Sequence, residues 1–387
     1  MRKAISALLC ILLLLSLTAC MQGSTAANHD EDLISVEARI AAHDKDLDKA
    51  MIRLMRMYDV PGAVMAIINN GKVTFTKAYG LSDVENNISM DIDTVFQVAS
   101  ISKPVTAWGV MKLVEDKKIK LDDPVEKYLT RWHFPQSEFD SKEVTIRRLL
   151  AHTSGLSVSS YQGLLPEQNL PSLEESLAGY ESPHVNPLTI SSKPGLKWDY
   201  CGGGYTVLQL LIEEVSGETF ENYMQKVVLN PIGMSSSTFE YDKVNKEKLA
   251  KAYDPNGKLM PNLLFPEKAA AGLYTSAPDL AKFVAAALKG PQNEVPGRGV
   301  LSPDTLELMF MVDGETDGMW GLGYQKYTSL VKSRDGLIMH SGSNFGWKAI
   351  FAENVKTNDG ILVLTNSDNG GDLLFDLLVE WDEGDKK

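Results

Sequence analysis

Cysteine, histidine and basic runs are scarce in this sequence, and each scarcity excludes a class of site or partner. The 387 residues contain three cysteines and six histidines. Cys10 and Cys20 fall in an N-terminal signal-like segment, so Cys201 is left alone in the processed chain and no internal disulfide framework is expected. The histidines are scattered without a His-Glu-x-x-His pattern, and Tyr200-Cys-Gly-Gly-Gly lacks the Lys-Ser or Lys-Thr of a phosphate-binding loop. We therefore expect neither a metal nor another cofactor.

Positive charge is in deficit along the whole chain. Lys and Arg number 38 against 51 Asp and Glu, which gives a formal net charge of -13. No basic run or stripe offsets this balance, so nucleic acid is excluded as a partner. The hydrophobic fraction of 44% and charged fraction of 23% are ordinary for a globular enzyme with a substantial core.

The N-terminus has the pattern of an export signal. Arg2 and Lys3 precede an apolar run over residues 4–17, which is too short for a comfortable membrane span, and Leu17-Thr-Ala-Cys20 follows. A cysteine in that position resembles the bacterial lipoprotein signal, in which the cysteine is lipidated; a plain secretory signal with a chance cysteine is the alternative. We predict a signal peptide over residues 1–19, a lipid on Cys20, a tether over residues 20–32 and an exported, membrane-anchored protein of the bacterial cell envelope.

Hydrophobic periodicity and turn residues predict strands at both ends of the chain with helices between them. Asn70-Gly71 between two apolar stretches is a strong hairpin signal. Strands are predicted over residues 63–69, 72–78, 324–331, 337–341, 348–353 and 361–366. Helices are predicted over residues 33–58, 100–115, 144–151, 204–216 and 373–381, with further helix starts at Asp122-Asp123-Pro124 and Ser276-Ala-Pro278-Asp279.

This order predicts an α+β fold. One antiparallel sheet is built from both chain ends, flanked by the terminal helices, with a helical region inserted. We expect one domain over residues 33–383, whose α/β part covers about residues 33–103 and 300–383 and whose helical part covers about residues 104–299.

The segment Phe96-Gln-Val-Ala-Ser100-Ile-Ser-Lys103 carries the first chemical signal. Ser100 and Lys103 lie three residues apart at a predicted helix start, so both side chains share one helical face. A base beside the serine can activate its hydroxyl as a nucleophile, and the positive end of the helix dipole favours an oxyanion there. Ser329 and Lys332 have the same spacing without a comparable helix start, so the pair alone is weak.

Four further motifs, together with the Ser100 segment, resemble those of class C β-lactamase-like serine hydrolases in order and rough spacing. The motifs are Leu149-Leu-Ala-His-Thr-Ser-Gly155-Leu, Tyr200-Cys-Gly-Gly-Gly-Tyr205, Ala271-Gly-Leu-Tyr-Thr-Ser-Ala-Pro-Asp-Leu280 and His340-Ser-Gly342. This superfamily includes class C β-lactamases, D-alanyl-D-alanine carboxypeptidases, D-aminopeptidases and bacterial esterases. The resemblance covers about residues 35–380 and implies a β-lactamase/transpeptidase-like fold.

The resemblance also implies roles for the motif residues. Ser100 is then the acylated nucleophile, Lys103 its proton acceptor and Tyr200 a general base that relays protons to the leaving group and activates water. His340 and Gly342 occupy the place of the Lys-Thr-Gly strand motif, where they bind substrate and stabilise charge. The backbone N–H groups of Ser100 and Ser343 form the oxyanion hole.

Two positions depart from the family pattern. Gly202 stands where many β-lactamases have asparagine, and His340, mostly neutral near pH 7, stands in place of lysine. Both departures favour ester or D-amino-acid peptide substrates over β-lactams. His152 has the pattern of a helix-to-loop turn rather than a reacting group, and Cys201 that of a small buried filler.

The sequence thus predicts a serine hydrolase that forms an acyl-enzyme on a small-molecule or peptide substrate. A genuine β-lactamase is one alternative, and a penicillin-binding or sensor module without turnover is another. Tyr200 has a structural alternative as a loop tyrosine packed on Trp198. Phe345 and Trp347 either border the cleft or pack on the sheet.

Overall fold

The structure is a computed structural model that describes residues 27–181, 184–311, 314–316, 318–326 and 336–384. The chain divides into two compact units, residues 1–46 and 47–387. In the first unit the described residues form the N-terminal part of helix α1 (Ala27–Met57), and the sheet and the remaining helices belong to the second unit. None of the described helices is long and apolar enough to cross a membrane. The predicted signal peptide and Cys20 lie outside the described residues.

Helices fill the middle of the chain and close its end. After α1 they are α2 (Ser102–Glu115), α3 (Ile146–Leu150), α4 (Leu173–Ala178), α5 (Gly202–Ser216), α6 (Phe220–Met224), α7 (Asn230–Ile232), α8 (Lys268–Ala271), α9 (Ala277–Ala287), α10 (Pro303–Phe310) and α11 (Gly370–Gly384). Short 3-10 or π turns lie at Ala99–Ile101, Val125–Lys127, Ser141–Glu143, Gln225–Leu229 and Tyr241–Lys243.

Strands from both chain ends form the main sheet. The strands are β1 (Gly62–Asn69), β2 (Lys72–Asp83), β3 (Ile88–Ser89), β4 (Val95–Gln97), β5 (Tyr180–Glu181), β6 (His184–Val185), β7 (Ala252–Tyr253), β8 (Leu259–Met260), β9 (Tyr274–Ser276), β10 (Gln325–Lys326), β11 (Leu337–Asn344), β12 (Trp347–Asn354) and β13 (Asp359–Thr365). Seven of them make an antiparallel sheet in the order β10-β11-β12-β13-β1-β2-β3, and β4 pairs separately with β9. The predicted α+β architecture is confirmed.

Each face of the sheet buries its own hydrophobic cluster, because successive side chains of a strand point to opposite faces. Val64, Ala66 and Ile68 of β1 face a large core shared with α2, α5 and α9. The alternate residues Met65 and Ile67 face a second core formed with α11 and the end of α1. Helix α2 is buried almost all round, as a helix between a sheet and other helices must be.

The structure confirms some of the predicted turns, helices and strands and differs from others. The hairpin is confirmed, with Asn70 and Gly71 both at positive φ as a two-residue turn of this kind requires. Helix α1 is described from Ala27 onwards, whereas the sequence predicted a helix from residue 33. The predicted helix start at Asp122 gives only one 3-10 turn, at Val125–Lys127, whose first N–H donates to the Val144 carbonyl at 3.0 Å. Of the strand predicted over residues 324–331, β10 is the described part.

Glu353 is a buried acid in this fold. It lies on β12 opposite Ile338 and Gly360 and is 0% exposed. Among the described residues, neither of its carboxyl oxygens has a hydrogen-bond partner. Burial raises the pKa of its carboxyl well above the ordinary value, because the charged form loses its hydration. The acid is therefore a source of instability that grows with pH.

We expect Glu353→Met to raise the free energy of unfolding by about 1–3 kcal/mol at neutral pH, since an unsatisfied buried polar group is replaced by an apolar one. The folded pKa exceeds the unfolded one, so stability from the protonated acid is full below the unfolded pKa and declines as pH rises through the folded pKa. The advantage of the variant should accordingly grow with pH. Urea unfolding from pH 5 to pH 8 measures this, with the exposed Glu138→Met as control. A pH-independent difference would contradict the assignment.

Candidate active site

A strained turn presents Ser100 at the start of α2. Ala99 has φ 47°, a left-handed conformation that costs a non-glycine residue about 1 kcal/mol or more. The Ser102 hydroxyl donates to the Ala99 carbonyl at 2.6 Å and accepts from the Leu273 N–H at 2.9 Å, and the Val98 N–H donates to the Leu273 carbonyl at 3.1 Å. Ser100 thus lies in the 3-10 turn, and the α-helix begins two residues later than predicted, at Ser102.

Lys103 contacts the Ser100 hydroxyl directly. Its Nζ donates to Ser100 Oγ at 3.0 Å and to the backbone carbonyl of Ala270 at 2.8 Å. The side chain is buried, and within the described ranges no carboxylate forms an ion pair with it. The predicted i, i+3 contact is therefore present, and the amine is held by neutral acceptors.

The short helix α8 supplies the second acceptor of this amine, and side chains from other helices fix it. Gln209 of α5 donates to the Pro266 carbonyl at 3.1 Å and accepts from the Ala269 N–H at 3.0 Å. Ser176 of α4 donates to the buried carboxyl of Glu267, whose pKa is raised by burial. The position of the acceptor carbonyl is thus set by residues far from Ser100 in the chain.

Two tyrosine rings lie near the Lys103 amine, and they differ in how deeply they are buried. Nζ is 5.0 Å from the ring centroid of Tyr200 and 5.7 Å from that of Tyr205. Tyr205 is fully buried, its hydroxyl donates to the Leu150 carbonyl at 3.2 Å, and burial raises its pKa well above the ordinary value. Tyr200 is only half-buried. It is the better placed of the two to exchange protons with a substrate.

His340 lies in the same cluster as a neutral ring. Its Nδ1 is 2.7 Å from the Ser341 carbonyl, and the ring meets Trp320 edge-on with centroids 5.5 Å apart. Burial, and secondarily the nearby Lys103 amine, lowers the pKa of His340 to about 3. The ring therefore adds no positive charge at neutral pH, and it can act on a substrate through hydrogen bonds.

Gly342 lets β11 approach the turn that carries Ser100. A Cβ on Gly342 would lie 2.1 Å from the Val98 carbonyl oxygen. One residue further along, Ser343 is exposed, and the Asn344 amide donates to Gln97 Oε1 at 2.9 Å. The family resemblance implies a role in substrate binding for this glycine. The structure adds that the strand itself needs the space that glycine leaves to pack against the nucleophile turn.

Gly202 marks a position where an asparagine side chain has no room. A Cβ there would lie 2.9 Å from the Ser159 carbonyl oxygen, which already accepts the Gly202 N–H at 2.9 Å. The adjacent ring of Tyr161 would be 3.4 Å away. The loop at Ser159 and Tyr161 therefore explains why glycine, rather than the asparagine of the family pattern, occupies position 202.

We expect Gly202→Asn to lower the free energy of unfolding by about 1–3 kcal/mol, since the new side chain must displace backbone, and to leave nitrocefin turnover no higher than in the native protein. Thermal unfolding and initial rates measure the two effects. Gly257→Asn is the control, because asparagine tolerates its positive φ and no described atom beyond the adjacent residues lies within 4 Å of a Cβ there. A stable variant with raised nitrocefin turnover would contradict this account.

Cys201 and Trp347, two other residues singled out from the sequence, are buried and have structural roles. Cys201 is buried, accepts the Gly204 N–H at 3.3 Å on its sulfur, and has a pKa raised to about 11 by burial, so it remains a thiol. Trp347 is buried edge-on to Phe96 at 6.0 Å, whereas Phe345 is 50% exposed. Ser329 and Lys332 lie outside the described residues. Within the described ranges, no group of His, Cys, Asp and Glu residues is arranged to hold a metal ion.

Trp320 is a site residue that sequence reasoning missed. Its ring centroid is 5.0 Å from His152, 5.8 Å from Tyr200 and 5.5 Å from His340. Tyr200 therefore packs on His152 and Trp320, while Trp198 also meets Trp320, at 5.5 Å. Trp320 lies in none of the five motifs, and only folding brings it to the site. Its one signal in the sequence was that it is an aromatic residue among glycines.

The fold and this cluster define a serine hydrolase of the β-lactamase-like superfamily, in which a Ser-x-x-Lys pair opens a buried helix beside a sheet edge. The profile of the Beta-lactamase family matches residues 47–382. The chain belongs to that family, which confirms the resemblance found in the sequence motifs.

The individual proteins that resemble this chain share at most about a third of their residues with it over the aligned regions reported below. The chain is 25% identical over 330 residues to Protein flp of Staphylococcus aureus (strain N315), covering 83% of this chain and 63% of flp. It thus spans about three fifths of the length of such curated relatives. The octameric penicillin-binding protein homologue from Pyrococcus abyssi aligns with TM-score 0.68 and 30% identity over 84% of this chain and 74% of that one. The Beta-Lactamase/D-Alanine Carboxypeptidase from Pseudomonas syringae shares the fold, with TM-score 0.70 and 18% identity over 88% of this chain and 99% of that one.

Proposed function

We propose that this protein forms an acyl-enzyme on Ser100 and turns over esters or D-amino-acid peptides. The observation that carries the proposal is the 3.0 Å contact from Lys103 Nζ to Ser100 Oγ, made while the Ala270 carbonyl fixes the same amine at 2.8 Å. A neighbouring base that takes the serine proton makes the hydroxyl a nucleophile. Membership of the Beta-lactamase family supports this chemistry.

The reaction follows from the placement of these groups. Ser100 Oγ attacks the substrate carbonyl carbon, and its proton passes to the neutral form of the Lys103 amine, which becomes an ammonium. The carbonyl oxygen becomes an oxyanion that the N–H groups of Ser100 and Ser343 stabilise. The Tyr200 hydroxyl passes a proton to the leaving group as its bond to carbon breaks. The Tyr200 phenolate then takes a proton from water, which attacks the ester on Ser100. The acid leaves, and the Lys103 ammonium returns its proton to Ser100 Oγ.

The substrate side of the cleft favours an ester or a peptide over a β-lactam. His340 is neutral and adds no positive charge for a substrate carboxylate, and the loop at Ser159 excludes a side-chain amide at Gly202. Strand β10 pairs with β11 only at Ile338 and Met339, so among the described residues the outer edge of β11 beyond them has no strand partner. An extended peptide can add to such an edge through backbone hydrogen bonds.

The proposal includes export and a lipid anchor on Cys20. Its support is the charged, apolar and small-residue pattern of residues 1–20 described above. The enzyme would then act at a membrane surface of the cell envelope on small molecules or peptides.

Steady-state rates on p-nitrophenyl esters, D-alanyl peptides and nitrocefin test the substrate class. We expect ester or peptide turnover to exceed nitrocefin turnover clearly. Nitrocefin turnover close to that of the best ester would instead favour a genuine β-lactamase. A stable penicillin adduct without turnover of any substrate would favour a penicillin-binding module, a candidate supported by the 30% identity to the Pyrococcus abyssi homologue.

A further inference from the structure

His152 bonds to the backbone on both sides of Tyr200. Its carbonyl oxygen accepts the Asp199 N–H at 2.8 Å, and its ring Nδ1 accepts the Cys201 N–H at 3.1 Å. The two residues that flank the tyrosine are therefore held by a single residue from another part of the chain. Because Nδ1 accepts a hydrogen bond, the ring proton of the neutral form is on Nε2.

The ring of His152 also packs on the tyrosine itself. The centroids of His152 and Tyr200 are 4.4 Å apart with an interplanar angle of 33°, and Trp320 meets the histidine ring edge-on at 5.0 Å. The Lys103 amine is 5.0 Å from the Tyr200 centroid. The phenol ring thus has packing partners that restrict its orientation next to the amine.

The backbone of His152 is strained, and the side chain is fully buried. Its φ is 60°, and the residue follows the end of α3 with 0% exposure. A non-glycine residue in this conformation costs about 1–3 kcal/mol and persists only where its surroundings determine it. Burial, and secondarily the nearby Lys103 amine, lowers the pKa of the ring well below its ordinary value, so the ring adds no charge beside the amine.

We propose that His152 is a positioning residue, which holds Tyr200 beside Lys103 through two backbone hydrogen bonds and a ring contact. The inference rests on the proposed function, in which Tyr200 transfers protons. It differs from the prediction that this histidine serves a helix-to-loop turn alone.

Two single variants separate the parts of this contact. His152→Phe keeps a ring against Tyr200 but removes the Nδ1 acceptor, whereas His152→Asn keeps an acceptor and tolerates the positive φ but removes the ring. We expect each to lower kcat on a p-nitrophenyl ester at least about tenfold with KM little changed, because small misplacements of reacting groups cost this much or more. Circular dichroism and thermal unfolding report whether each variant folds, and the asparagine variant provides the test if the phenylalanine variant does not.

A double-mutant cycle with Tyr200→Phe decides whether His152 acts through the tyrosine. That variant keeps the stacked ring and loses only the hydroxyl. We expect His152→Asn to cause no further loss of kcat in the Tyr200→Phe background, because its whole effect passes through the phenol. Additive losses, or His152 variants with native kcat, would overturn the inference and leave the proposed function standing. Native activity of Tyr200→Phe would instead overturn the tyrosine role in the proposed function.

Discussion

The Ser100→Ala variant is expected to form no covalent adduct with a fluorophosphonate or a penicillin, while the native chain gains the mass of one phosphonyl or acyl group. The reason is local. The substitution removes only the hydroxyl group of Ser100 on the strained turn. The oxygen of that group accepts the Lys103 hydrogen bond at 3.0 Å. Hydrolysis of every accepted substrate should fall to background in the same variant. Intact-mass spectrometry after probe treatment measures the adduct.

The chain offers a matched control for this experiment. Ser329 also stands three residues before a lysine, Lys332, so Ser329→Ala removes the other serine with this spacing. We expect this variant to be labelled as fully as the native chain. An adduct that survives Ser100→Ala, or that is lost in Ser329→Ala, would show that the nucleophile has been misassigned.

The Lys103→Met variant should acylate about 10²- to 10⁴-fold more slowly than the native chain, the range typical of a lost general base. Methionine fills the buried space of the lysine stem, so the change removes the amine without leaving a large cavity. The donor to Ser100 Oγ and to the Ala270 carbonyl is lost together with the proton acceptor. The burst phase with a p-nitrophenyl ester measures acylation separately from deacylation.

Lys112→Met is the control for a lysine lost from the same helix. Lys112 lies on α2 and pairs with Asp116, four residues further along the helix. We expect native acylation rates in this control and similar thermal unfolding in both variants. An acylation rate within a few-fold of the native one in Lys103→Met would exclude Lys103 as the base.

Local sequence signals predicted the parts of the site that depend on spacing alone. The Ser100–Lys103 contact follows from helical geometry, and the Asn70-Gly71 turn from backbone preferences. The extent of α1 was less well predicted, because the polar residues before residue 33 lack the apolar stripe that indicates an amphipathic helix.

The remaining parts depend on contacts between distant segments. The Ala270 carbonyl lies 167 residues along the chain from Lys103, and His152 lies 49 residues from Cys201. The Trp320 ring likewise meets Tyr200 from a distant segment, and no local pattern encodes these contacts. The role of Gly342 was also incomplete, since its closeness to Val98 appears only when β11 meets the turn before Ser100. Hydrophobic periodicity and helix capping residues thus determine the helices and strands, whereas packing between these elements determines the geometry of the active site.

The neighbouring positions of β1 and β13 have a consequence for how the protein folds. Ala63 pairs with Thr365, about 300 residues further along the chain, and β11 supplies the contact of Gly342 with the nucleophile turn. Sheets closed by such long-range pairing fold slowly, because the loop must close before the contacts stabilise it. The nucleophile turn therefore reaches its final form only after the last strands have been synthesised. An unfinished chain that ends before β11 would already contain Ser100 and Lys103 and still lack a working active site.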